Sequence, residues 1–191
     1  KNAECPNGSE ILETCKYQVM ATDMLAAGLD YKERAEMLVN YVEALVNIYP
    51  SCKAVVFETS KKMLTREDIL NCTLPKEMRF LHYAVNIRFF NIQGTNDMLI
   101  DSLGMSTLFL PDVQYHFHGL NPNDVVNHAY NVLSYIYDND NPIEDGNTIA
   151  GLTDGNMNSD IKWKVQYEDS LIQPIREVID INMGEYASGN R

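Results

Sequence analysis

Two histidines stand two residues apart in the run Asp112-Val113-Gln114-Tyr115-His116-Phe117-His118. Apolar and polar residues alternate along it, so it predicts a β-strand with one apolar face. Side chains two apart on a strand point the same way. His116, His118 and Asp112 would then share a face, which suits a divalent metal, and a metal-bound water acts as a nucleophile near neutral pH. A complete shell needs further ligands, and Asp101 and His128 are the nearest choices. The alternative for the same residues is a polar strand face of solvated or hydrogen-bonded imidazoles.

Other stretches are weaker. Asp154-Gly155-Asn156-Met157-Asn158 has the opening of a calcium loop. Ser159 stands where the sharp-turn glycine belongs and Val165 where a bidentate glutamate is needed, so we expect an Asx-rich loop. Asp145-Gly146-Asn147-Thr148 reads as a tight turn, and a turn on a rigid scaffold can hold a ligand. Glu168 and Asp169 are an acid pair, but neighbours on a strand face opposite ways. Arg176 is expected to pair with one of them or with a neighbour of Glu177. The glycine-rich phosphate loops, the G-x-S-x-G elbow and the H-E-x-x-H helix are all missing. Cys5, Cys15, Cys52 and Cys72 form no C-x-x-C pair, so the reading is free, buried thiols.

The elements that must position these residues follow from periodicity. Residues 1–9 read as a lead-in. Cys15, Tyr17, Val19 and Ala21 alternate with Lys16, Gln18, Met20 and Thr22, which predicts a strand. Asp30 and Glu33 predict a capping box for a helix ending at Pro50, with Tyr31, Ala35, Leu38, Val42, Leu45 and Tyr49 on one stripe and Met37, Tyr41, Ala44 and Ile48 beside it. Residues 53–58 predict a strand, and Thr65 caps a short helix to about residue 71. Residues 82–89 alternate and predict the clearest strand, followed by a turn at 94–97. Residues 98–110 suggest a short helix ending at Gly104 and then a strand. Asn121-Pro122 starts a helix with Val125, Ala129, Val132, Leu133 and Ile136 as its core stripe. Residues 138–160 read as a long Asp-, Asn- and Gly-rich loop. Strands at 161–167 and 176–181 follow, then a frayed tail from 184 to 191. The fold class is α+β: a mainly antiparallel sheet with helices on one face, with two β-α-β arms as a variant. We expect one domain over residues 10–183, in halves of 10–80 and 81–183.

The 191 residues carry 15 Lys and Arg against 27 Asp and Glu, a net charge of −12. That charge opposes nucleic acid and anionic membranes and favours a basic protein partner. There is no run of about 20 apolar residues to span a bilayer. The chain opens on Lys1 without a signal-peptide pattern. We read it as trimmed, expect the cytoplasm, and leave a lost targeting signal open.

The second half also carries a resemblance. Val85-Asn86-Ile87-Arg88, Asp101-Ser102-Leu103-Gly104, Leu110 to Phe117, Asp145-Gly146-Asn147-Thr148, and Tyr167-Glu168 with Pro174 and Arg176 resemble an uncharacterised, mainly bacterial family, domain of unknown function 4261. The family pattern runs roughly D-T-L-G, L-P-D-[LV]-Q-x-H-F and D-G-x-T. Ser102 replaces a threonine, and Tyr115 stands where cysteine is common. The resemblance implies that Asp101, Asp112, Gln114, His116, Asp145 and Thr148 belong to a shared pattern, either a site or a fold signature. It implies no activity.

Two functions are therefore expected from different classes. The first is a non-enzymatic, protein-binding module, inhibitor- or immunity-like, that requires no cofactor. The second is a metal-dependent enzyme or metal-binding domain on Asp112, His116 and His118, with Asp101 or Asp145 in support. Gln114 and Thr148 complete the candidate site. The oligomeric state is open.

Overall fold

A computed structural model describes Cys5, residues 7–23 and residues 26–189. The chain divides into two compact units, residues 1–86 and 87–191. It is α+β, with five helices and eight strands among the described residues. No helix among them is long and apolar enough to cross a membrane.

The first unit holds α1 (Gly8–Thr14), α2 (Tyr31–Ile48), β1 (Ala54–Phe57), β2 (Lys62–Thr65), α3 (Arg66–Leu70) and α4 (Lys76–Ala84). β1 and β2 form an antiparallel pair. α2 starts where Asp30 accepts the amide of Lys32. α3 starts on a capping box in which Thr65 and Asp68 satisfy each other's amides. Two helices end on cations. Arg66 donates Nε–H to the Val46 carbonyl near the end of α2. Lys62 is fully buried and donates Nζ–H to the carbonyls of His82 and Val85 at the end of α4. A positive charge there offsets the unpaired carbonyls and negative pole of the helix. Arg79 on α4 meets Glu43 on α2 at 2.7 Å, and the Tyr83 hydroxyl donates to the same carboxylate.

Several expectations for this half are corrected. Residues 15–22 form no strand; α1 precedes them, and they run on exposed and unpaired. Residues 82–84 belong to α4, and the strand starts at Asn86. Phe80, Leu81, Tyr83 and Ala84 are buried at spacings of one, two and three, which only a helix turns to one side. The buried stripe of α2 is Ala35, Val39 and Val46, while Tyr41, Ile48 and Tyr49 stay exposed. All four cysteines are free, but only Cys5 is buried. Of the expected lead-in, residues 1–4 and 6 lie outside the described residues.

The second unit is built on a six-stranded sheet: β3 (Asn86–Asn91), β4 (Met98–Leu103), β5 (Asp112–Phe117), β6 (Thr148–Thr153), β7 (Asn156–Asp169) and β8 (Glu177–Asn182). The spatial order is β3-β4-β5-β8-β7-β6. β5 and β8 run parallel at the centre, whereas β4–β5, β7–β8 and β6–β7 are antiparallel. α5 (Pro122–Asp138) packs on β4 and β5, with Asn121 as its cap and Pro122 at its first position. Its predicted stripe of Val125, Ala129, Val132, Leu133 and Ile136 is buried, with Val113, Tyr115, Phe117, Trp163, Val165, Ile179 and Ile181 from the sheet.

Three expectations change here. Residues 98–103 are a strand, and the helical turn, Met105–Leu108, comes after it. Gly104 makes the switch with φ of 133°, a conformation only glycine takes without strain. The expected long loop at 138–160 contains all of β6 and the start of β7, joined at Asp154 and Gly155, both left-handed. That is a two-residue hairpin turn, where the calcium-like motif stood. The tail is held as far as Ser188: Ala187 bridges Phe117, and Ser188 donates its amide to His116.

Candidate functional site

Alternation puts Val113, Tyr115 and Phe117 on the α5 side of β5, and Asp112, Gln114 and His116 on the other. The sheet register lines up polar residues on that second side. Asp101 lies opposite Gln114, Gln114 opposite Asp180, and Asp180 opposite Gln166. A polar row thus crosses four strands, and Asp101, Gln114 and Asp180 within it are buried.

Burying these carboxylates requires partners. Arg88 on β3 grips Asp101 with two donors, Nε–H to Oδ1 at 2.8 Å and Nη2–H to Oδ2. Arg176, just before β8, donates from Nη2 to Asp101 Oδ2 at 3.0 Å and from Nε to Asp112 Oδ2 at 3.1 Å. It also donates to the Ser102 carbonyl. Asp112 Oδ1 accepts the Ser102 hydroxyl at 2.8 Å and the Met105 amide at 3.3 Å. Burial pushes the Asp112 carboxyl above its ordinary range, and the Ser102 hydroxyl and Arg176 guanidinium oppose that shift. Gln114 donates to Asp180 at 3.0 Å and to Glu168 at 3.2 Å, and accepts the Leu171 amide at 2.7 Å.

The last contact belongs to a strap, residues 170–176, between β7 and β8. The Ser170 amide donates to the Arg176 carbonyl, and its hydroxyl donates toward the Ile172 and Pro174 carbonyls. The Gln173–Pro174 peptide is cis. The Gln173 carbonyl accepts from Arg88 and the Pro174 carbonyl from Arg176. Arginine, carboxylate and strap therefore hold one another across the polar row.

The histidines lie elsewhere. His116 Nε2 is buried without a hydrogen bond, 3.7 Å from Asp97 Oδ2. Ser188 donates its hydroxyl to Asp97 Oδ1 at 3.0 Å and lies 3.1 Å from His118 Nδ1. The single hydroxyl proton goes to Asp97, so His118 Nδ1–H is the donor to Ser188. His118 follows the end of β5. His128 sits on the α5 side, between the Tyr115 hydroxyl at 2.9 Å and the Ala150 carbonyl at 2.8 Å. Burial lowers its pKa, and the carbonyl contact works in the other direction.

The expected residues thus fall into separate groups. Asp101, Asp112 and Gln114 are brought together. His116 and His118 form a second group with Asp97 and Ser188. Asp145 accepts the Tyr167 amide at 2.8 Å, and Thr148 opens β6, exposed. Asp112 does not join the histidines, because Arg176 and Ser102 hold it at the other end of β5. No group of three or more His, Cys, Asp or Glu among the described residues is placed to hold a metal. Arg176 pairs with Asp101 and Asp112 instead of the expected acids near it in sequence. Sequence reasoning missed Arg88, Asp97, Asp180 and Ser188 as participants. Two signals were available for Arg88: residues 87–191 hold only five Lys and Arg, and it lies in one of the stretches that carry the family resemblance.

Residues 101–182 match the sequence model of the family described as Domain of unknown function (DUF4261). The motif resemblance is borne out over that stretch, which runs from within β4 to the end of β8. No curated protein and no solved structure matches the chain.

Proposed function

We propose that this protein is a non-enzymatic binding module for a basic protein, with the family-patterned residues serving as its scaffold. The carrying observation is that Asp101, Asp112 and Gln114 are buried and occupied by Arg88, Arg176, Ser102, Met105 and Leu171. A catalytic acid or base must reach a substrate proton, and these groups face one another. The surface supplies the other half of the reading. Asp138, Asp140, Glu144, Asp145, Asp154 and Asp160 are exposed in a stretch without Lys or Arg. Such a stretch steers a cationic partner and loses its pull with salt.

The test is capture from lysate at low salt with the wild type and with Glu144→Gln/Asp154→Asn/Asp160→Asn. A basic protein retained by the wild type, released by salt and lost by the variant supports the reading. Retention of no protein, or equal retention by both chains, overturns it. The metal-dependent alternative predicts a thermal shift with Zn²⁺ or Mn²⁺ in protein purified without a His tag. Loss of that shift in His116→Ala would revive it.

A further inference from the structure

We propose that residues 15–22 of one copy add as a strand to the open edge of β1 in a second copy, reciprocally, giving a two-fold dimer. This inference is independent of the basic-partner reading. The segment Cys-Lys-Tyr-Gln-Val-Met-Ala-Thr has strand alternation, yet it pairs with no strand among the described residues. Tyr17 is 93% exposed, Met20 78% and Val19 60%. One side of the alternation, Cys15, Tyr17, Val19 and Ala21, is apolar; the other, with Lys16, Gln18 and Thr22, is mostly polar. That is the pattern of a strand with one covered face. An extended backbone finds regular partners for its amides and carbonyls on a sheet edge, the mode known as strand addition.

The first unit supplies such an edge. Among the described residues β1 pairs only with β2. Its residues Ala-Val-Val-Phe include no charge and no proline, the usual protection of an edge, and Val56 is exposed. A two-stranded sheet gains from a third strand. Thr14, just before the segment, lines the same cleft as Lys53, just before β1. Thr65 of β2 lines it too, so the segment starts at the end of the hairpin where β1 begins, and among the described residues it pairs with no strand. Charge favours a second copy as the occupant. Residues 15–22 hold Lys16 and no acid in a chain of net charge −12, so this stretch is attracted where most of the surface is repelled. Pairing β1 to a segment and the segment to β1 satisfies the self-complementarity of a two-fold interface.

The experiment is light scattering over a concentration series on the full chain, with Gln18→Pro/Val19→Pro and Tyr17→Lys/Val19→Lys. Adjacent amides of a strand point to opposite sides, so the double proline removes one that faces β1 in either register and leaves the charge unchanged. The wild type is expected at about twice 21.7 kDa at high concentration, and both variants at 21.7 kDa with unchanged circular dichroism. Hydrogen exchange should show residues 15–22 and 54–57 protected in the dimer and released on dilution. A wild type that stays at 21.7 kDa throughout overturns the proposal. So does a dimer that survives both variants, or one whose protection lies elsewhere.

Discussion

Asp101 has no exposed surface, and its charge is shared between two arginines, one on β3 and one in the strap before β8. Desolvating an ion costs several kcal/mol, and only good geometry with further hydrogen bonds offsets it. Asp101→Asn removes the charge and leaves Arg88 and Arg176 facing an amide. We expect it to lower unfolding free energy by about 3 kcal/mol, in the range for breaking a buried pair, measured by urea denaturation. A loss below about 1 kcal/mol, the range of exposed pairs, would refute the scaffold role. His128 makes a pH prediction. Burial holds its folded pKa below the ordinary value of 6.5, so the folded state keeps the ring neutral. Its contribution is complete above that value and is lost as pH falls through the lower folded one. The melting temperature should therefore drop on acidification below about pH 6.5, and His128→Gln should flatten that drop. Asp112 has the opposite sign: its raised carboxyl favours folding in acid, and that term fades as pH rises through the folded value.

At the scale of elements, the hairpin of β6 and β7 is tied to α5 through His128 and to the core through Trp163. A bulge lies between Ala150 and Gly151. A methyl group at Gly151 would sit 2.5 Å from Ile161 Cγ2 and 2.8 Å from the Trp163 ring. Trp163 is buried and its indole is rigid, so relief requires moving the strand. Gly151→Ala should destabilise by about 1–3 kcal/mol, the range for overpacking, seen as a lower melting temperature. An unchanged temperature would show that the hairpin shifts freely. This scale is also where alternation misled. Residues 82–89 combine the end of one helix with the start of a strand, and Tyr83, Val85, Ile87 and Phe89 keep period two across the junction. The buried lysine that ends α4 comes from Lys62, twenty residues earlier, which no local pattern reveals. Residues 15–22 show the reverse case: the pattern is a strand's, yet among the described residues the segment pairs with no strand.

For the whole molecule, charge is the dominant property. Net repulsion at −12 opposes non-specific association at neutral pH and weakens as carboxylates take up protons. Solubility should pass through a minimum near the pI of 4.6, checked by turbidity across pH 3–8. A minimum far from that value would mean that ion pairing in the folded chain changes its titration. The apolar side of the sheet under α5 was legible residue by residue. The stripe from Val125 to Ile136 and the alternation of Val113, Tyr115 and Phe117 follow from periods that any buried helix or strand must show. The polar side was legible only as a set of types. Asp101, Asp112, Gln114 and Arg176 stood out, but their grouping did not.

Sequence alone determined the α+β class, the start of α5, the strand at 112–117 and the family pattern. Each rests on local periodicity, capping chemistry or linear motif. Tertiary structure decided that Asp112 belongs with Arg176 and Ser102 and not with His116 and His118, and that Arg88 reaches Asp101. Those pairings depend on which strands become neighbours and in what register, and register is a property of the assembled sheet.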